Sequence, residues 1–247
     1  MTIAKAQLAV LILTGIAIAS PSPGATLKVG PNQTYKAPSA AAAVAKNGDH
    51  IEIQPGQYFD CAVWNADDLV IEGIGPGVVI TDKACMGKGL FVIEGNNTTV
   101  RNLTLTRSRV PDMNGAGIRL DKGNLTVDTV KFIDNQNGIL GGVPGTTVTI
   151  RNSDFDRNGI CTAACAHGIY IENVDLLRVE NSRFSNTRQV GIATACAMGG
   201  FFLDLGIRSV MTRISQRVTT SNADRLEVTD AQQSGAARAT ALRVVID

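Results

Sequence analysis

Two aspartates, Asp154 and Asp156, flank Phe155. Hydrolysis of a glycosidic bond needs a carboxylic acid and a carboxylate facing the same sugar. Residues two apart in a strand share a face and lie about 7 Å from one another, so this pair could be catalytic or could bind a cation. The bland reading of the same pattern is a solvated outer strand. An elimination mechanism would instead need Ca2+ held by several carboxylates and a basic residue to take a proton from a sugar carbon. Asp112, Asp121, Asp128 and Asp134 offer oxygen; Arg119, Lys131 and Arg151 offer the base. His167 is one of two histidines, and an imidazole titrates near neutral pH. It sits in a loop, Asn158–Gly168, with Cys161 and Cys165, which could close a small disulfide. Site residue and plain surface both remain open for it.

A repeat must position these residues. Val100-x-Asn102-Leu103-x-Leu105 is followed by Leu125-x-Val127-x-x-Val130-x-Phe132, then by Val148-x-Ile150-x-Asn152-x-x-Phe155 and Leu177-x-Val179-x-Asn181-x-x-Phe184. The steps are roughly 23 to 29 residues, the period of solenoids. Apolar and polar residues alternate within each unit, as in short strands with one buried face. A second strand follows in each unit, at Ile118-x-Leu120, Ile139-Leu140 and Ile169-x-Ile171, preceded by Gly117, Gly138 and Gly168. One coil cannot bury its own apolar side chains, so coils must stack about 4.8 Å apart. The expected fold is all-β, a parallel β-helix. Phe132, Phe155 and Phe184 should form an inner column, and Asn102, Asn152 and Asn181 a corner in the left-handed backbone region that Asn tolerates.

Lys5, the apolar run Leu8–Ala19 and the small-x-small Ala17-Ile18-Ala19 read as a secretory signal over residues 1–25, with Ala25 a second cleavage candidate. That run is too short to span a bilayer comfortably, so the expectation is a secreted or periplasmic bacterial protein with no membrane span in the mature chain. The net charge of +1 gives no electrostatic case for nucleic acid or an acidic membrane. In an oxidising compartment the five cysteines allow Cys61–Cys85, in adjacent coils, as well as Cys161–Cys165, with Cys196 left over. Ser39 is expected to cap a short helix through Val44 that plugs the open end of the solenoid.

The stretches GDHIEIQPGQYFD, RVPDMNGAGIRLDKGNLTVDTVKFIDNQNGIL, IRNSDFDRNGI and CAHGIYIENVDLLRVENSRFSNTR resemble the right-handed parallel β-helix, or pectin-lyase-like, superfamily. The resemblance covers residues 26–188. It implies a right-handed solenoid, and the wider superfamily includes lyases and hydrolases of acidic polysaccharides. The fold alone does not confer such an activity. The function expected is an exported protein that binds or processes polysaccharide at the cell envelope, with Ca2+ a possible cofactor. The alternatives are a non-catalytic structural solenoid or an inactive truncated relative. A binder would display a stripe of exposed aromatics, for which Trp64, Tyr58 and Tyr170 are the candidates. Beyond Arg188 the Asn/Gly pattern gives way to an Arg-, Ala- and Thr-rich run. Residues 189–247 are therefore expected to be an atypical, irregular tail, either a divergent cap or the product of a shifted reading frame.

Overall fold

A computed structural model describes residues 24–159, 166–186, 192–195, 201–207 and 240–246. The apolar run Leu8–Ala19 with the expected cleavage site at Ala19, and Cys161, Cys165 and Cys196, lie outside these residues. The described chain winds through about six coils, each contributing a strand to three parallel sheets. Sheet A holds Thr26–Val29, His50–Ile53, Val70–Gly73, Thr98–Arg101, Leu125–Asp128, Thr147–Arg151 and the first half of Leu176–Ser185. Sheet B holds Gly56–Tyr58, Val78–Thr81, Thr104–Thr106, Lys131–Ile133, Asp154–Asp156 and the second half of Leu176–Ser185. Sheet C holds Ala62–Trp64, Gly89–Ile93, Ala116–Leu120, Asn137–Gly141, Ile169–Glu172 and Ile192–Ala195. Counting from His50, Asn137–Gly141 belongs to the fourth coil.

The expected columns are present. Phe132, Phe155 and Phe184 stack with ring centroids 4.6 and 4.7 Å apart and planes within 9° of parallel. Phe155 is wholly buried, while Asp154 and Asp156 face outward. Asn102, Asn152 and Asn181 all have positive φ at the corner between sheets A and B, and Thr129 takes that role in the fourth coil. A second column was not foreseen: Ser108, Asn135 and Asn158 lie buried at the end of sheet B. Asn135 accepts from Ser108 N–H (2.9 Å) and donates to the Leu105 carbonyl (3.0 Å) and Asn158 Oδ1 (3.1 Å). Asn158 in turn donates to the Phe132 carbonyl at 2.8 Å.

Charge alternates along the outside of sheet A, where Glu72, Arg101, Asp128, Arg151 and Glu180 follow one another in register. Glu72 accepts from Arg101 (2.6 Å) and Asn102 (3.0 Å), both on the next coil. Asp128 repeats the arrangement with Arg151 and Asn152, each at 2.9 Å.

A short helix, Pro38–Ala42, covers the first coil, but Ser39 does not cap it. The helix begins two residues earlier than expected, with Ala37 at the N-cap and Pro38 in its first turn, and the Ser39 N–H donates to Asp60 Oδ2 at 2.8 Å. The capping oxygen thus comes from the coil beneath. Cys61 and Cys85 form a disulfide between adjacent coils, with Cα atoms 5.4 Å apart. In the tail, Ile192–Ala195 extends sheet C with Ile192 beside Ile169. Phe201–Ile207 pairs in parallel with Leu176–Ser185, and Thr240–Ile246 pairs with it antiparallel.

Candidate functional site

The A-to-B corners are tight, whereas three of the connections from B to C run long, 82–88, 107–115 and 157–168, and those of the first and fourth coils, 59–61 and 134–136, are short. These connections lie along the shared border of sheets B and C, and sheet C begins where they end. On its outer side Val63, Val92, Arg119, Leu140 and Tyr170 lie in register. The next outward positions on three successive coils are Asp121, Gly142 and Glu172.

Two polar pairs result, one on each side of an apolar coil. Arg119 Nε donates to Asp121 Oδ1 at 3.0 Å, and Lys88 Nζ, from the coil before, to Oδ2 at 2.5 Å. The Tyr170 hydroxyl is bonded to Glu172; that bond, then burial and the carboxylate's charge, push its pKa up to about 12. Between the pairs lie Leu140 and Gly142. A Cβ on Gly142 would stand 2.0 Å from the Glu172 carbonyl oxygen, so this coil cannot carry a side chain there. Two coil spacings set the pairs about 10 Å apart. The outcome is a notch at Gly142 with a carboxylate in each wall, beside Leu140, which is itself buried at 7% exposed.

Of the residues singled out in the sequence, His167 reaches this face. Its N–H donates to Asn137 Oδ1 at 2.8 Å, and its ring lies 5.4 Å from that of Tyr170. Its Nδ1 is buried without a hydrogen-bond partner, and burial lowers its pKa, which favours neutral imidazole at pH 7. Asp154 and Asp156 lie on sheet B instead. Asp154 pairs with Arg183 at 3.3 Å. Asp156 accepts from Ser185 (3.0 Å) and Asn186 (2.7 Å) and pairs with Arg157. Among the residues considered for elimination, Arg119 and Asp121 meet, while Asp128 and Arg151 belong to sheet A, Lys131 to sheet B and Asp134 to a pair with Arg109 at 2.9 Å. Among the described residues no three His, Cys, Asp or Glu side chains gather closely enough to hold a metal ion. Trp64 and Tyr58 are buried, the former wholly, because their strand positions face the tube. Phe59 is the exposed aromatic beside them.

Lys88 and the Tyr170–Glu172 pair escaped the sequence reading. Aligning Gly117-Ile118-Arg119-Leu120-Asp121, Gly138-Ile139-Leu140-Gly141-Gly142 and Gly168-Ile169-Tyr170-Ile171-Glu172 would have revealed the notch, since the shared Gly-Ile fixes the register.

Residues 60–201 match the family model for the right handed beta helix region, and the chain belongs to that family. Solved structures similar to it include Escherichia coli YbhC, at 14% identity and TM-score 0.47, covering 76% of this chain and 71% of that one. Carrot pectin methylesterase is similar at 11% identity and TM-score 0.43, covering 72% and 73%. Pectate lyase Pel9A is similar at 16% identity and TM-score 0.36, covering 83% and 79%. No curated protein matches the chain. Among the described residues no helix is long and apolar enough to cross a membrane.

Proposed function

We propose that this is an exported protein that binds or processes an acidic polysaccharide along the outer face of sheet C. The observation that carries the reading is the notch: Arg119–Asp121 and Tyr170–Glu172 facing one another across Leu140 and Gly142. The missing side chain at Gly142 leaves room between the walls, and Lys88 with Arg119 leaves the first wall with one more positive than negative group, which favours a uronate. Two carboxyl groups some 6.5–9.5 Å apart can act as the acid and base of an inverting glycoside hydrolase, a range that side chains leaning towards each other from walls about 10 Å apart would reach. Export is supported by the apolar N-terminal run and by the Cys61–Cys85 disulfide.

A second reading, a non-catalytic solenoid, is favoured by the ion pairs that occupy the outward carboxylates of sheets A and B. One experiment separates the two. The protein is incubated with a panel of uronate polysaccharides, with and without Ca2+, and unsaturated products and reducing ends are measured. Binding is followed in parallel by affinity electrophoresis. Hydrolysis or elimination that is lost in Asp121→Asn and Glu172→Gln supports processing; retardation without products supports binding alone. An inert, unretarded protein refutes both forms of the proposal and leaves the structural solenoid.

A further inference from the structure

Building on that reading, we infer that Gln136 and Asn137 are positioning residues that fix the two walls of the notch relative to Gly142. Both are almost wholly buried, 3% and 2% exposed. They occupy the short corner of the fourth coil, the coil that supplies Leu140 and Gly142. The Gln136 carboxamide reaches to the preceding coil. Its Oε1 accepts from the Val110 and Gly115 N–H groups, both at 2.8 Å, and its Nε2 donates to the Val110 carbonyl at 2.9 Å and to Met113 Sδ at 3.2 Å. It thereby pins both ends of the loop Val110–Gly115, which runs directly into the strand bearing Arg119. The Asn137 carboxamide serves the following coil: its Oδ1 accepts from the His167 N–H at 2.8 Å, immediately before the strand bearing Tyr170. Adjacent carboxamides thus hold the entry to each wall.

The arrangement makes the width of the notch a property of the fourth coil. It selects a chain whose polar substituents reach the two carboxylates across Gly142. Neither residue touches the ligand; each acts through the loop it holds.

The test uses the whole exported chain and two readouts. Gln136→Met keeps the size of the side chain and removes all four bonds; Gln136→Glu keeps both acceptances and loses the two donations. Hydrogen exchange at the Val110 and Gly115 amides should accelerate at least about tenfold in Gln136→Met relative to the Ile150 amide. Affinity for polygalacturonate, measured well below the unfolding temperature, should weaken by about tenfold or more in Gln136→Met and stay within about threefold of wild type in Gln136→Glu. Asn137→Leu should weaken it likewise, with Asn137→Asp retaining it. Unchanged exchange at Val110 and Gly115 overturns the positioning role whatever the ligand. Accelerated exchange with undiminished affinity overturns the link to the notch. A wild-type protein that binds no uronate polymer at all overturns the functional reading, while the exchange result still decides the positioning.

Discussion

Gly138 and Phe155, one coil apart, share a single space inside the tube: a Cβ on Gly138 would lie 2.8 Å from Cδ1 of the Phe155 ring. Gly117 and Phe132 repeat the relation, also at 2.8 Å. Where sheet B supplies an aromatic ring, sheet C gives up its side chain. Phe155→Ala should therefore cost about 3–5 kcal/mol through the cavity it leaves, and Gly138→Ala about 1–3 kcal/mol through overpacking. Asp154→Ala, facing outward, should stay within about 0.5 kcal/mol of wild type. Denaturant titration of the three variants checks the register; equal losses at 154 and 155 would refute it.

The inner polar column makes a different demand. Asn135→Ala leaves the Ser108 N–H and the Leu105 carbonyl without their side-chain partner, each at a cost of about 1–3 kcal/mol. Ser108 ends the column, and its hydroxyl is buried without a partner. Ser108→Asn, extending the column by one rung, should raise the melting temperature, whereas a fall would show that the neighbouring coil has no room for a carboxamide.

Thr129 holds φ +58° at a corner where its counterparts are asparagines. A β-branched residue is strained there, at roughly 1–2 kcal/mol for the left-handed region. Thr129→Asn should recover about 1 kcal/mol, seen as a higher denaturation midpoint at unchanged slope. No gain would mean that the bond from its hydroxyl to Asp128 at 3.0 Å offsets the strain.

Acid should unfold the protein in two stages. Burial lowers the His167 pKa, so the unfolded chain takes up that proton first and stability declines as pH falls from about 6.5, the ordinary histidine value. Burial raises the values of Glu72, Asp128 and Asp156, but bonds from Arg101 and His50, from Asn152 and Arg151, and from Asn186 and Ser185 outweigh it, so all three lie below the usual range. Asp82 is lowered chiefly by Arg107. Their contribution is complete above about 4 and is lost as pH falls through each folded value. Melting temperatures taken across this range should show both declines, and His167→Gln should abolish the first. Persistence of the first decline in that variant would assign it to another group.

Peptide mapping without reduction should recover Cys61 linked to Cys85, the two being separated by 24 residues. Removing that bond should cost about 3 kcal/mol. The same map decides whether Cys161 joins Cys165 and Cys196 stays free. Thiols at both 161 and 165 would rule out the clip.

Much of the solenoid was legible because its signals recur. Phe155 could be placed between Phe132 and Phe184, and Asn102, Asn152 and Asn181 at one corner, since each error would have to repeat in every coil. Cys61 and Cys85 were legible for the same reason, lying in adjacent coils. The notch was not, because its parts are neighbours only after stacking: Asp121 and Glu172 are far apart in sequence, whereas Asp154 and Asp156 invite attention by being close. The inner column of Asn135 and Asn158 was not legible either, because nothing in their local pattern says that these side chains face inward. Ser39 looked like a cap because Asp60, which supplies the oxygen, belongs to another coil.

The alternation Glu72, Arg101, Asp128, Arg151, Glu180 has a period of two coils, not one. A single coil inserted or deleted would set acid against acid or arginine against arginine along sheet A, while a pair would leave every partner in place. Length is thus quantised within the stretch from Glu72 to Glu180, whereas Glu52 stands in register beside Glu72 one coil earlier. Relatives that gained or lost turns by duplication should differ by even numbers of coils within this stretch, and an engineered extension should copy the two coils from Leu125 to Glu172 together.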